Sequence, residues 1–477
     1  MDEHNSPDGS IRGWLVVAAS FTIHMYYIGI VQTSGLFMIE FLRYFDEAAG
    51  TVSWMFTTAG LVIAAIAPTV GYLVSKFGAQ KVAAVGAIIA TVGMLLSAFA
   101  QSLAHLMVTF GVLHAIGLTA MFIPALSIVA QYFTKRYALA NGLAALGASV
   151  GSMAIPPMSE ALMEHYGWHG AFLIISGIAA NILVAAVIMK PAPRERNKVS
   201  SRQSPAESEN VDSEKEDCTI EGDHNLKNCL DTSNSFEETD GISEHRKEIV
   251  PTNPNCTGVV KVFTLIPRFC GCSLIRKYPL YGSFLIYIIL YTSSSQMGMI
   301  WRVVHAVAVG IPRMKAATLA TFFGVSSVIG RVGHGCLVDS KIISPMTLLS
   351  LTLTVLSISI LVFTFLERYA FMAACCAVIG LCQGVSTTLD IKWSTPLVIV
   401  CLRHIVGVKD LPRAIGVQFA AYGLSGLSLP VAGKLYEMTE DTRSPFYLSF
   451  ACASTSTLIV LAMAFVQRRK SKDSAGT

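Results

Sequence analysis

The sequence predicts an all-α membrane protein, a bundle of twelve transmembrane helices built from two six-helix halves. Hydrophobic residues make up 53% of the 477-residue chain and charged residues 14%, against roughly 25% charge in an average soluble domain. Twelve apolar stretches have the length that a helix needs to cross the hydrocarbon core, which is about 20 residues. One long charged segment separates the first six stretches from the last six and so marks the two halves.

The predicted spans follow one another with short polar connections. The N-terminal half, 14–190, holds spans at 14–38, 52–74, 82–101, 105–131, 139–163 and 168–190. The C-terminal half, 278–467, holds spans at 278–300, 316–338, 344–366, 370–402, 411–433 and 445–467. Residues 1–13 are polar and lack the basic segment and cleavage site of a secretory leader, so we expect the first span itself to direct membrane insertion.

The charged segment between the halves covers residues 191–277. It holds 15 of the 31 acidic residues and 12 of the 35 basic residues, and it is rich in Ser and Asn with almost no aromatic residues. Such a composition cannot bury enough apolar surface to offset the entropy lost on ordering. We therefore expect a disordered cytoplasmic linker.

The orientation follows from the short loops, since Lys and Arg are retained on the cytoplasmic side. The loops and tail on the side of the termini carry twelve such residues, whereas the other side carries seven, among them Arg302 and Arg313. This difference predicts that the segments 1–13 and 468–477 are both cytoplasmic.

Other classes of protein find little support in the composition. The formal net charge of +4 is small and dispersed, so no nucleic-acid partner is expected. The eleven cysteines show no spacing typical of a metal site. No span presents a nucleophile, a base and an orienting acid together, so we expect neither an enzyme nor a cofactor.

A short string recurs at the same place in each half. Gly71-Tyr72-Leu73-Val74-Ser75 follows span 2, and Gly335-Cys336-Leu337-Val338-Asp339 follows span 8. The string resembles the motif found after spans 2 and 8 in the major facilitator superfamily. The resemblance implies that Gly71 permits close helix contact and that an acid such as Asp339 caps a neighbouring helix end. Ser75 replaces the expected acid in the first copy, which predicts a weaker cytoplasmic latch there.

A second string, between spans 4 and 5, reads Tyr132-Phe133-Thr134-Lys135-Arg136-Tyr137-Ala138-Leu139-Ala140-Asn141-Gly142-Leu143-Ala144-Ala145-Leu146-Gly147. This string is similar to the signature of the monocarboxylate transporter family. Small residues in it allow span 5 to approach a neighbouring helix closely, and its tyrosine and basic pair are expected to anchor at the lipid headgroups. The segment before span 1 resembles the same family. The residues that carry both resemblances are Asp8, Gly9, Trp14, Tyr132, Phe133, Lys135, Arg136, Gly142 and Gly147.

The resemblance covers essentially all of the membrane-embedded chain, but Ile11 and His169 depart from the family pattern, which indicates a divergent branch. It implies a plasma-membrane carrier, embedded in the lipid bilayer, that moves a small carboxylate-bearing solute by alternating access. It also implies a single-span glycoprotein chaperone as a partner for delivery to the cell surface.

Arg331 in span 8 is the foremost candidate for binding substrate. Charged groups inside a span are costly and mark functional sites, and a guanidinium binds a carboxylate through two parallel hydrogen bonds. In Val328-Ile329-Gly330-Arg331 it falls where the family carries its substrate-binding arginine. The alternative is a structural ion pair with an internal acid.

Two further positions bear on energetics. Where proton-coupled members carry a lysine in span 1 and an aspartate one turn before the arginine, this chain has Gln32 and Ser327. Neither side chain can hold a proton, so the resemblance predicts facilitated diffusion or coupling to another ion. Tyr27 is expected to line the cavity or to anchor at the membrane interface.

Substitute proton carriers stay open as an alternative, because imidazole titrates near neutral pH. The candidates are His24 in span 1, His114 in span 4 and His334 in span 8, of which His334 is the best because it lies one turn from Arg331. A lone histidine in a span is more often a hydrogen-bonded contact between helices. Glu160 is the one acid placed with assurance inside a span, where it pairs with a base or lies near the outer surface.

Two more alternatives remain. Span 10 is long because it contains Leu389-Asp390-Ile391-Lys392-Trp393, so either the helix breaks and places Asp390 and Lys392 in the cavity, or the five residues come from an extra exon or a gene-model error. A receptor that does not transport is the second alternative, and it would signal through the segment 191–277.

Overall fold

The apolar stretches form helices that run back and forth between two faces. The structure, a computed structural model, describes residues 10–133, 136–190, 279–339, 345–387 and 420–473. Regular secondary structure in these ranges is helical throughout. In them, eight helices are long and apolar enough to cross a membrane, and the apolar part of one, Leu139–Ile188, has 50 residues, enough for two crossings.

The N-terminal half contains spans 1 to 6. A π-helical segment, Met107–His114, joins the fifth helix of this half to the sixth, and Gly167 breaks the seventh with a φ of 66°. The helices are α1 (Ile11–Gln32), α2 (Ser34–Phe45), α3 (Ala49–Phe77), α4 (Ala79–Ser97), α5 (Leu103–Leu106), α6 (Ala115–Tyr132) and α7 (Tyr137–Ile188).

The C-terminal half contains the described parts of spans 7 to 12. Residues 420–425 are also helical and precede its fifth helix. The helices are α8 (Pro279–Ala308), α9 (Arg313–Asp339), α10 (Pro345–Phe363), α11 (Tyr369–Thr387), α12 (Ser428–Thr439) and α13 (Ser444–Asp473).

Local chemistry sets several of these ends. The Ser10 hydroxyl accepts a hydrogen bond from the Gly13 amide at 3.2 Å and so caps the first turn of α1. Gly78 has a φ of 88°, a conformation open to glycine, and this allows α3 to turn directly into α4. The kink at Gly167 likewise lets α7 double back, so that spans 5 and 6 form one hairpin.

Two predicted span ends are wrong. Helix α8 extends to Ala308, and Arg302, which the sequence predicts to lie in a loop, is buried inside it. Span 1 continues through α2 to Phe45, so Glu40 also lies on a helix. Both errors have one cause: hydropathy ends a span at the first charged residue, although a charged side chain that faces the protein interior leaves the helix intact.

The helices define two faces of the bundle. We call the face at the start of α1 and the end of α13 the terminal face, and the face at the connections 46–48 and 309–312 the opposite face. The halves contact each other through α9 against α7, α12 against α3 and α8 against α2. These contacts create the space in which the candidate site lies.

Helices α1 and α7 pack closely and in parallel because α7 has small residues where they meet. Side chains at Gly147 and Gly151 would overlap the backbone of Phe21 and Met25, respectively. Gly71 and Gly142 differ, since each has nothing within 4 Å of an added Cβ. The close helix contact expected at Gly71 is therefore not found among the described residues.

Tyr132 is not the headgroup anchor that the sequence predicts. Its side chain is buried, and its hydroxyl donates to the Lys190 carbonyl at 2.7 Å, which fastens the end of α6 to the end of α7. Phe133 is also buried and packs edge-on against Trp14, with ring centroids 5.1 Å apart. The predictions for Asp8, Gly9, Lys135, the linker 191–277 and the segment 389–393 lie outside the described residues.

Candidate functional site

Arg331 lies on α9 at the boundary between the halves. Its Nη1 donates to the Ala145 carbonyl on α7 at 3.0 Å, and its Nε donates to the Ser327 hydroxyl at 3.4 Å. Ser149 on α7 donates to the same Ser327 oxygen at 3.4 Å. The side chain is half-buried, and no acid in the described ranges forms an ion pair with it. The guanidinium thus faces the N-terminal half, and its partners among the described residues are neutral.

Glycines on α9 bring Arg331 to this position. A Cβ at Gly324 would lie 2.7 Å from the Ser149 carbonyl oxygen, and one at Gly330 would overlap the backbone of Leu381 on α11. Helix α9 can therefore fit between α7 and α11 only because these positions have no side chain. The glycines near Arg331 in the sequence therefore determine where its guanidinium lies in the bundle.

His24 and Tyr291 also lie close enough to Arg331 for its charge to act on both. The His24 ring packs edge-on against Phe122 at 4.9 Å, and its Nδ1 lies 2.8 Å from the Ser20 carbonyl. A carbonyl only accepts, so Nδ1 carries the proton and the neutral ring has its acceptor at Nε2. The structure therefore brings together Arg331, Ser327 and His24 of the predicted residues and adds Ser149 and Tyr291.

Gln32 does not join this group. Helices α1 and α7 run parallel, and Gly29 packs against Ile155, so Gln32 lies further toward the opposite face than Ile155. Arg331 instead reaches Ala145. Measured along α7 at 1.5 Å per residue, the position of Gln32 beyond Ile155 and the Ala145 carbonyl bound by Arg331 are separated by on the order of three helical turns. Gln32 is buried at the end of α1.

Tyr27 lines a cavity of about 80 Å³ between the halves. Its ring stacks on Phe122 with centroids 4.2 Å apart, and Phe122 also contacts His24, so the cavity adjoins the surroundings of Arg331. Most of the lining is apolar or aromatic. The polar lining side chains are Tyr27, Ser34, His114, Gln296 and Tyr422.

His114 is the buried imidazole of this cavity. Its Nδ1 lies 2.8 Å from the Ala90 carbonyl and so carries the proton, whereas its Nε2 has no hydrogen-bond partner among the described residues. The π-helical segment ends at His114, and such wide turns often occur at functional sites. The imidazole thus offers the cavity an unpaired acceptor.

An ion-pair cluster joins the halves at the opposite face. Arg313 at the start of α9 lies 2.7 Å from the carboxylate of Glu40 on α2 and 2.9 Å from that of Glu160 on α7. Nearby, the Gly50 amide donates to Glu437 on α12 at 2.7 Å. Glu160 therefore pairs with a base and also lies near a membrane face, which are the two outcomes that the sequence left open.

The remaining predicted residues are separate from these groups. His334 and Asp339 lie on the last turns of α9, where only the backbone is described. The Ser75 hydroxyl donates to the Tyr72 carbonyl of its own helix at 2.7 Å. Arg136 is exposed at the terminal face.

Sequence reasoning missed Glu40, Arg313, Ser149 and Arg302 as inward-facing residues. A signal was present for Glu40, because apolar residues flank it on both sides in Phe37-Met38-Ile39-Glu40-Phe41-Leu42. Arg313 starts a helix and gave no comparable signal, since its partners are 273 and 153 residues away along the chain.

Comparison with known proteins agrees with this architecture. The Major Facilitator Superfamily matches residues 15–394. The chain is similar to Monocarboxylate transporter 12 of Mus musculus, with 25% identity over 97% of this chain and 87% of that protein. It is also similar to Monocarboxylate transporter 14 of Homo sapiens, with 26% identity over 93% of this chain and 89% of that protein.

A solved structure shows the same fold. The crystal structure of a single-residue mutant of the nucleoside transporter NupG matches with a TM-score of 0.65 and 10% identity, over 95% of this chain and 99% of that one. The all-α membrane bundle of the major facilitator type that the sequence predicts is confirmed. The chain belongs to the Major Facilitator Superfamily as a divergent relative of the monocarboxylate transporters, and it is a membrane transporter of solutes and not an enzyme.

Proposed function

We propose that this protein carries a small organic solute with a carboxylate group across the plasma membrane by alternating access, without a proton relay. The observation that carries the proposal is Arg331, a half-buried guanidinium between the halves that has no acidic partner in the described ranges. A carboxylate would replace its neutral partners, the Ala145 carbonyl and the Ser327 hydroxyl, with a charge-assisted pair. The names of the relatives support the same class of solute.

The cavity lined by Tyr27 and His114 suits the part of the solute that does not contact Arg331. Its lining is chiefly apolar and aromatic, with a few polar groups, as is usual for small-molecule sites. A volume of about 80 Å³ leaves room for a body of several water-sized groups. A solute with one carboxylate and a compact, partly apolar remainder therefore fits the site.

The absence of a relay rests on chemistry at two positions. Gln32 and Ser327 cannot take up a proton, and Ser327 is in direct contact with Arg331. His24 and His114 are buried, and the Nδ1–H of each is already taken by a backbone carbonyl of the N-terminal half. Transport driven by the solute gradient alone, or coupled to another ion, follows from this arrangement.

The conformation suits one stage of alternating access. The contacts between the halves extend from the Arg313 cluster at the opposite face to Arg331. Toward the terminal face, Gly71 and Gly142 have open space around them in the described part of the chain. With cytoplasmic termini, the face closed by the Arg313 cluster is the outer one, as expected for a carrier that is shut toward the outside.

Uptake into proteoliposomes tests the proposal. Labelled monocarboxylates, creatine and aromatic amino acids would be offered to wild type, Arg331→Gln and Arg443→Gln. Loss of one charge-assisted bond, worth about 1.5–3 kcal/mol, lowers uptake of the true solute roughly 10-fold or more in Arg331→Gln. Arg443 is partly exposed at the opposite face and pairs with Glu367 at 3.5 Å, so its variant is the matched control and keeps wild-type uptake.

Two results would contradict the proposal. Equal uptake by wild type and Arg331→Gln would remove the assignment of the arginine. Solute binding to purified protein without flux would instead indicate a receptor, whose signalling would be lost on deletion of residues 200–250.

A further inference from the structure

Arg302 is a second buried guanidinium that the transport cycle proposed above does not use. It lies on α8 with 7% of its surface exposed, and its Nε donates to the Gly298 carbonyl of the same helix at 2.8 Å. Its guanidinium carbon lies 4.9 Å from the centroid of the Phe323 ring, and the Cys376 thiol lies nearby. These partners carry no full negative charge.

A buried cation normally has an acid beside it, because desolvation of an uncompensated charge costs several kcal/mol. Arg302 takes part in none of the ion pairs between described residues, although Arg313 and Arg443 on the same half both have acidic partners. A guanidinium has five N–H groups, which is more than the number of acceptors named above for Arg302. The site therefore has positive charge and donors to spare.

A small cavity lies beside this guanidinium. It has a volume of about 10 Å³ and is lined by Arg302, by the edges of an apolar cluster and by three polar side chains. That volume holds about one body of the size of a water molecule. Five other lining residues have hydroxyl, amide or aromatic groups that can contact an anion: Ser294, Ser295, Gln383, Phe363 and Phe446. Aromatic edges are positive and add to the attraction for an anion.

Polar side chains connect this cavity to the surroundings of Arg331, the place proposed for the solute. Gln383 donates to the Ser295 hydroxyl at 2.9 Å, Ser295 bonds Tyr291, and Tyr291 lies within reach of the charge on Arg331. The cavity itself lies inside the C-terminal half, among α8, α10, α11 and α13. It is therefore separate from the cavity lined by Tyr27 and His114.

We propose that Arg302 holds one small inorganic anion of halide size, chloride being the physiological one. The charge, which has no acidic partner among the described residues, supplies the attraction, and the volume, near the least that one water molecule needs, excludes a carboxylate. Water would fill the same space but would leave the charge uncompensated. The site is a fixed counter-ion site of the C-terminal half and is distinct from the place proposed for the transported solute.

Thermal unfolding of the full-length protein in nanodiscs tests this at constant ionic strength, with sodium chloride, bromide, acetate or gluconate as the only salt. A ligand that binds the folded state raises Tm, so chloride and bromide are expected to raise Tm saturably by a few degrees over gluconate. Arg302→Leu abolishes the halide effect, whereas Arg331→Gln and Arg443→Gln keep it. Acetate and gluconate are carboxylates of the class assigned to Arg331, so the four salts are also compared in Arg331→Gln, in which that site no longer contributes.

Direct binding of radioactive chloride keeps the proposal falsifiable where Arg302→Leu fails to fold. Wild type and Arg331→Gln are expected to bind about one chloride per chain, displaced by bromide and not by gluconate. No saturable chloride binding to folded wild type would overturn the proposal. Halide stabilisation that survives in folded Arg302→Leu, or that disappears in Arg331→Gln, would overturn it as well.

Discussion

Arg313 lies 2.7 Å from Glu40. This ion pair joins α9 of the C-terminal half to α2 of the N-terminal half. Glu160 shares the same guanidinium at 2.9 Å. One cation thus holds two acids that approach from α2 and α7, and all three residues lie at the face where the halves meet. Any motion that parts the halves at this face must break both pairs.

Removal of Arg313 is therefore expected to favour the state that is open at the opposite face. In Arg313→Gln the two carboxylates lose their shared cation, and a network of partly exposed pairs is worth about 1 kcal/mol. The closed state should fall roughly 5-fold relative to the open one. The measurement is labelling of a cysteine placed at Ser34, which is buried and lines the cavity between the halves.

Lys434→Gln provides the control for that experiment. Lys434 belongs to an exposed pair with Glu437 within α12, so its loss leaves the boundary between the halves intact. Equal labelling of Arg313→Gln and Lys434→Gln would show that the cluster does not hold the face shut.

Uptake is expected to change less than about 2-fold between pH 6.0 and pH 7.5. The residues at the two relay positions, Gln32 and Ser327, have no proton to exchange in this range, and both are buried. The measurement is initial uptake with equal internal and external pH. Strong stimulation by external acid would contradict the prediction, and its loss in His24→Gln would then assign the proton to that imidazole.

Ser327→Asp is expected to lower uptake at pH 7.5, whereas Ser327→Asn should lower it little. The Ser327 oxygen lies 3.4 Å from Arg331 Nε, so a carboxylate at this position would pair with the guanidinium and compete with the solute. Asparagine has the same size and no charge, which makes it the matched control. Equal effects of the two substitutions would point to steric damage.

Gly147→Ala is expected to destabilise the protein by about 1–3 kcal/mol, because the added methyl group would overlap the Phe21 carbonyl. Gly142→Ala on the same helix has open space and should be neutral or stabilising, since alanine favours a helix by about 1 kcal/mol over glycine. Thermal unfolding of the two purified variants measures the difference. Equal midpoints would show that α1 and α7 do not depend on this contact.

The parts predicted well from the sequence are those with a local signal. Apolar length alone identifies the spans, and Arg331 and Ser327 are recognisable because polar residues are rare inside them. The contact between Arg331 and Ser327 also follows from sequence, since residues four apart share a helix face. These features need no knowledge of how the helices pack.

The parts that the sequence could not predict depend on packing between distant helices. The Arg313 cluster joins residues 273 and 153 positions apart, and the cavity beside Tyr27 is lined by both halves. Residue type predicts Tyr132 at the headgroups, but only the positions of α6 and α7 reveal the buried bond to Lys190. The family resemblance assigns Gln32 to the same site as Arg331, whereas the packing of α1 on α7 places Gln32 closer to the opposite face.

The hydrogen bond from Arg331 to the Ala145 carbonyl has a consequence for the unloaded carrier. With no solute bound, the guanidinium still has an acceptor on the other half, so one of its N–H groups stays paired in the empty protein. An unloaded return step is then accessible, and net flux down a gradient does not require a counter-solute. Efflux from preloaded vesicles should proceed at a similar rate whether or not solute is present on the other side.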